Sequence, residues 1–215
     1  MQAPAHRHIV QFLDETMTTT DFFIAMEHCA RGDLWEILSK HERGHFDECE
    51  TATMIRGVAL AVQYLHEVIG VAHRDLSVEN ILVTAENVCK ISDFGLSTDA
   101  NKLTNTKVGK EYYMAPEVAA GKWYDPKKAD VWSLGIVLFV MLTGSPLVKI
   151  ADPSDRVFRA IEMYGPASVL TALGMHGRAS LCMLDLLCQM LVVDPKRRIT
   201  LSDVVRFLEE WELDG

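Results

Sequence analysis

The sequence predicts an α+β fold: a helix-rich body with one small β hairpin at its front. Three observations predict it. Two short apolar runs, residues 9–13 (IVQFL) and 22–26 (FFIAM), flank the polar stretch DETMTTTD. Apolar residues then recur at helical spacing through Ile55, Val58, Val62 and Leu65. Residues 131–142 form a twelve-residue run apolar on all sides, as in a helix inside a core.

Taken in order, the two front runs are apolar on both faces, the pattern of strands covered on two sides. After Gly32, Leu34-Trp35 and Ile37-Leu38 begin a short helix that HERGH ends. Residues 48–67 read as a long helix. A strand-like stretch broken by polar loops follows over 68–89. From Asp130 onward helices dominate, over 132–142, 181–191 and 202–211, the last with Ser202 as its N-cap. No repeat, low-complexity tract or linker interrupts the chain.

Composition narrows the function classes. With 215 residues the chain has the length of about one domain. At 49% hydrophobic and 24% charged it excludes a disordered chain. The formal net charge of −9 argues against a nucleic-acid partner, which needs a basic footprint. The longest apolar run is too short to span a bilayer, so no membrane association is expected. MQAPAHRHIV shows no secretory pattern. The five cysteines (Cys29, Cys49, Cys89, Cys182, Cys188) contain no C-x-x-C pair, which points to reduced thiols and a cytoplasmic location.

Residues 71–117 carry the chemistry. They contain VAHRDLSVENILV, then KISDFGLS, then GKEYYMAPEV. His73-Arg74-Asp75-Leu76-Ser77-Val78-Glu79-Asn80 fits H-R-D-x-x-x-x-N, Asp93-Phe94-Gly95 fits D-F-G, and Ala115-Pro116-Glu117 fits A-P-E. In this order and spacing the set resembles the eukaryotic protein kinase family, serine/threonine type. The hinge, GDLWEIL and MLVVDPKRRIT are most similar to the calcium/calmodulin-dependent kinase group. The resemblance implies a protein-kinase-like fold. Residues 1–29 would be a remnant upper-lobe β hairpin and hinge, and residues 30–215 the helical lower lobe. It implies ATP and Mg²⁺ as cofactors and a protein or peptide substrate bearing Ser or Thr. An upstream activating kinase is a further implied partner.

The resemblance also assigns residues. Asp75 would accept the substrate hydroxyl's proton, and Asn80 and Asp93 would present oxygens to Mg²⁺. Backbone groups of Glu27 and Cys29 would bond adenine, with Leu82 packed under the base and Leu34 below. Thr106 would be a regulatory phosphorylation site, Thr104 the runner-up, and Arg74 the partner of the phosphate. His73 and Phe94 would stack in a column with Phe12 as third member. Glu117 would pair with Arg198, and Asp130, opening the apolar helix, would anchor the catalytic loop. Glu79 and Asp33 lie where some relatives read basic residues upstream of the target hydroxyl.

Three departures from the family pattern stand out. Ser77 occupies the position of a usual Lys, and Lys110 follows Gly109 where Thr is usual. The pair looks exchanged, and Lys110 would bring its charge to Asp75 and the γ-phosphate. The match starts at the family's fourth strand, so the glycine-rich loop, the strand Lys and helix αC are missing. The first lysine is Lys40, already beyond the hinge. The hairpin would then expose apolar side chains and an open edge. The alternative function is an inactive lower lobe acting as a protein-interaction module.

Overall fold

The computed structural model describes residues 6–214, with side chains described as far as Trp211. Residues 1–5 of the expected front unit, and residue 215 of the expected lower lobe, lie outside the described residues. Strands β1 (Phe12–Met17) and β2 (Phe22–Met26) form an antiparallel hairpin. Helices α1 (Leu34–Lys40) and α2 (Glu48–Tyr64) follow, and α2 runs into a π turn at Leu65–Ile69. Strands β3 (Val71–Ala72), β4 (Ile81–Val83), β5 (Cys89–Ile91) and β6 (Thr98–Asp99) pair antiparallel as β3–β6 and β4–β5. Then come α3 (Pro116–Ala119), α4 (Pro126–Thr143), α5 (Arg156–Tyr164), α6 (Pro166–Ala172), α7 (Leu181–Met190) and α8 (Leu201–Asp214).

Local chemistry sets the helix starts. Asp33, Asp47, Asp125, Asp155 and Ser180 each accept a backbone N–H of the first turn, which satisfies an otherwise orphaned donor. Asp47 and Glu50 complete a reciprocal capping box. The core is built around α4, whose Trp132, Leu134, Ile136, Leu138 and Met141 are fully buried. Gly135 lets α7 close on it: a Cβ there would stand 3.0 Å from Met190 Cβ.

The front of the chain departs from expectation. Residues 9 and 10 belong to the body: Ile9 bridges Ile91, and Val10 N–H donates to Ile91 O at 2.9 Å. The first strand therefore starts at Phe12 and absorbs half of the expected turn. Every residue of both hairpin strands is exposed, so they are not covered on two sides. The expected exposure of apolar side chains is what the structure has: Phe22 is 58% and Ile24 55% exposed. The strand-like stretch over 68–89 resolves into the end of a π turn and short strands around the 73–80 loop. Thr200, not Ser202, accepts the Asp203 N–H at the start of α8, and Ser202 bonds Glu67 instead. Asp130 lies inside α4, which opens at Pro126.

Polar side chains tie distant elements together at two places. Arg198, 2% exposed, donates to both carboxylate oxygens of Glu117 at 2.7 and 3.0 Å, and its guanidinium lies over the Trp132 ring. At the front, His6 stacks on Tyr64, and His8 Nδ1 lies 2.8 Å from Cys89 O. The His8 ring fills the space above Gly57, where a Cβ would come within 2.5 Å of it.

Two outcomes are expected. Glu117→Ala leaves a buried guanidinium without its counter-ion and should cost about 3–5 kcal/mol in urea unfolding. Burial holds the His6 and His8 imidazoles below the ordinary 6.5, and nearby cations (Arg7, Lys90 and Arg56 at His8) add to it, against the Cys89 carbonyl. Their contribution is therefore fully present above pH 6.5 and is lost as pH falls from there through the lower folded-state values, because the unfolded chain binds more protons in that window. The melting temperature should fall between about pH 7.5 and about pH 5.5, and His6→Gln with His8→Gln should shrink that fall.

Candidate active site

The 73–80 loop is shaped by a carboxylate outside it. Asp130 is fully buried on α4, and its Oδ2 accepts the His73 N–H at 2.8 Å. Its Oδ1 accepts the Arg74 N–H at 2.7 Å. Arg74 sits at φ 67°, a left-handed conformation that a non-glycine residue holds only under outside constraint. The π turn after α2 brings His66 Nε2 to 2.8 Å from Asp130 Oδ2. Sequence reasoning missed His66; its partner Asp130 lies 64 positions away, so no local signal marked it.

This bend presents Asp75. Asn80 Nδ2 donates to Asp75 O at 2.7 Å and to Asp75 Oδ2 at 2.8 Å. The Lys110 N–H donates to Asp75 Oδ1 at 3.1 Å. Gly109 makes that approach possible: it sits at φ 94°, and a Cβ would stand 2.6 Å from Arg74 O. Asp93 is placed beside the loop by the β4–β5 pair, and Ser92 N–H and Oγ both donate to Asn80 O. Asp93 itself is exposed at φ 59°, and its Oδ1 accepts the Gly95 N–H at 3.2 Å.

The exchanged pair meets. Lys110 Nζ donates to Ser77 Oγ at 2.6 Å and to Asn80 Oδ1 at 3.2 Å, with Glu79 Oε2 at 3.5 Å. Ser77 is fully buried, so the ammonium is the partner of its hydroxyl. Tyr113 closes this corner; burial first, then the Glu79 carboxylate, pushes its phenol well above the ordinary value.

Other expected residues fall as follows. The His73 and Phe94 rings lie 5.2 Å apart, but Phe12 is 41% exposed in the hairpin and makes no ring contact among the described residues. Glu27 N–H donates to Gln11 O, and its carboxylate pairs with Lys90 at 2.8 Å, a contact the sequence did not reveal. Cys29 is buried, and burial raises its thiol pKa. Leu82 is half-buried on β4. Leu34 is fully buried inside the core and cannot line a ligand surface. Asp33 is the N-cap of α1, accepting from Glu36 N–H, and Glu79 faces Lys110. Thr106 is exposed, and its carbonyl accepts the Tyr124 hydroxyl. Arg74 Nε donates to Leu96 O at 2.7 Å, and no contact joins Arg74 to Thr106 among the described residues.

Among the described residues, no group of three or more His, Cys, Asp or Glu side chains could hold a metal ion alone. A hard cation here would need ligand oxygens from outside, as on a bound phosphate. Asp93 fits such a role, since its carboxylate is exposed and lightly bonded.

The family model of the protein kinase domain matches residues 1–208. The serine/threonine protein kinase OSK3 of Oryza sativa subsp. japonica is 35% identical over 204 residues, 93% of this chain. The serine/threonine-protein kinase GIN4 of Saccharomyces cerevisiae is 32% identical over 203 residues, 94% of this chain. The chain spans 37% and 17% of the lengths of these two relatives.

The Ser77–Lys110 contact predicts a non-additive mutant cycle. Ser77→Lys alone puts two ammonium groups together, and Lys110→Thr alone leaves the Ser77 hydroxyl buried without its partner. The double variant should recover stability, with an interaction energy of at least about 0.5 kcal/mol in urea unfolding. Additive effects would mean that the contact is energetically idle.

Proposed function

This chain belongs to the protein kinase family, serine/threonine type, and we propose that it transfers the γ-phosphate of ATP to a serine or threonine hydroxyl of a protein. The observation that supports this most is Asp75, oriented through both carboxylate oxygens by Asn80 and by Lys110 N–H. A carboxylate held on two sides keeps its remaining lone pairs in one direction, which suits a group that aligns a hydroxyl and takes its proton. When bound, Mg²⁺ neutralises the charge on the transferring phosphate. Asp93 would present its exposed carboxylate to it. Lys110 adds a fixed positive charge on the same side. At the hinge, the Glu27 carbonyl and the Cys29 N–H are the proposed adenine contacts.

Thr106 is the proposed acceptor of an upstream kinase's phosphate, since it is exposed on the segment that also carries Lys110. The five unpaired cysteines support a cytoplasmic location.

The second reading is an interaction module without transfer. The two readings separate in one experiment. With Mg-ATP and a serine/threonine peptide, the chain should incorporate phosphate and show a nucleotide-induced rise in melting temperature. Asp75→Asn should lower incorporation by about 10²- to 10⁴-fold while the melting shift persists. No incorporation together with no shift would leave the interaction module.

A further inference from the structure

Asn80 has one side-chain oxygen, and the structure already gives it a cation. Its Nδ2 is committed to Asp75 by two hydrogen bonds, which fixes the amide and turns Oδ1 the other way. Lys110 Nζ lies 3.2 Å from that Oδ1, 2.6 Å from Ser77 Oγ and 3.5 Å from Glu79 Oε2. We propose that the Lys110 ammonium is the resident cation at Asn80, in place of a second divalent ion, so that the site takes one divalent ion on Asp93. The inference rests on the kinase reading above.

Three arguments support it. An ammonium has three N–H donors, and three acceptors surround this one. Its backbone is pinned, by Asp75 Oδ1 and by the tight passage of Gly109 over Arg74 O, so the charge is delivered to a fixed place. Asn80 is 8% exposed and Ser77 fully buried, and a divalent ion on Oδ1 would meet the full positive charge that lies 3.2 Å from that oxygen. Asp93 differs on each count, being exposed and anionic, with a carboxylate that accepts the Gly95 N–H alone among the hydrogen bonds described. The exchange of Ser77 and Lys110 thus changes the metal count of the site as well as relocating an ammonium.

The test counts ions without using activity. The chain is held with one equivalent of a non-hydrolysable ATP analogue and titrated with Mn²⁺, the free ion being followed by its electron paramagnetic resonance. Wild type should take up one Mn²⁺ tightly per chain. Lys110→Met, which removes the charge at similar length, should bind a second Mn²⁺ at least about tenfold more tightly than wild type does. Lys110→Arg, which keeps the charge, should remain at one. Two ions of comparable affinity in wild type would overturn the inference, even if the variants fail to fold. So would a Lys110→Met titration that matches wild type. No nucleotide-dependent uptake in wild type would overturn the kinase reading itself, and the inference with it.

Discussion

Asp130 lies without solvent exposure on α4, and the groups gathered on its two oxygens dictate the course of the 73–80 loop. A buried carboxylate is tolerable only when its lone pairs are satisfied. Here the donors are the backbone N–H groups of His73 and Arg74, with the His66 imidazole against the same carboxylate. Those two N–H bonds offset the strain of Arg74 in a left-handed conformation and turn Asp75 out of the core. Everything downstream inherits that geometry: Asn80 reaches back to Asp75, and Ser92 reaches to Asn80 and sets Asp93 beside it.

The segment carrying Thr104 and Thr106 is joined to this frame at Gly109 and Lys110. In the usual family arrangement the ammonium stands on the catalytic loop itself. Here it arrives from a segment 33 positions along the chain from Ser77. Charge in the site is therefore conditional on where that segment runs. Tyr124 also holds the segment, pairing with Thr104 and donating its hydroxyl to Thr106 O. The consequence is a site in which one structural join supplies both the orientation of Asp75, through the backbone of Lys110, and the local positive charge, through its side chain.

The hairpin stands apart from this economy of burial. The body contributes a continuous core from α1 to α8, while β1 and β2 expose every residue on both faces. Their attachment is narrow, through Ile9 and Val10 on β5, Glu27 on Gln11 and Lys90, and the His6 and His8 rings on α2.

Fold class, the run of helices and the identity of the chemical groups were legible in the amino-acid order. The reason is that caps, helical spacing and the H-R-D, D-F-G and A-P-E motifs are each written in contiguous residues. Residues such as Asp75, Asn80 and Asp93 could be named because their spacing is local. The α5 and α6 helices and the Thr200 cap were not named, since segments of nine and seven residues hold too few turns for their spacing to stand out. What only the tertiary structure decided is which distant groups meet. His66 and Asp130 are 64 positions apart, and Glu27, just past β2, meets Lys90 on β5. Strand alternation likewise records which residues are apolar but not whether anything covers them, so the exposure of β1 and β2 emerged only from the folded chain. A hydrogen bond or a buried face depends on three-dimensional distance, and separation along the chain places almost no limit on it.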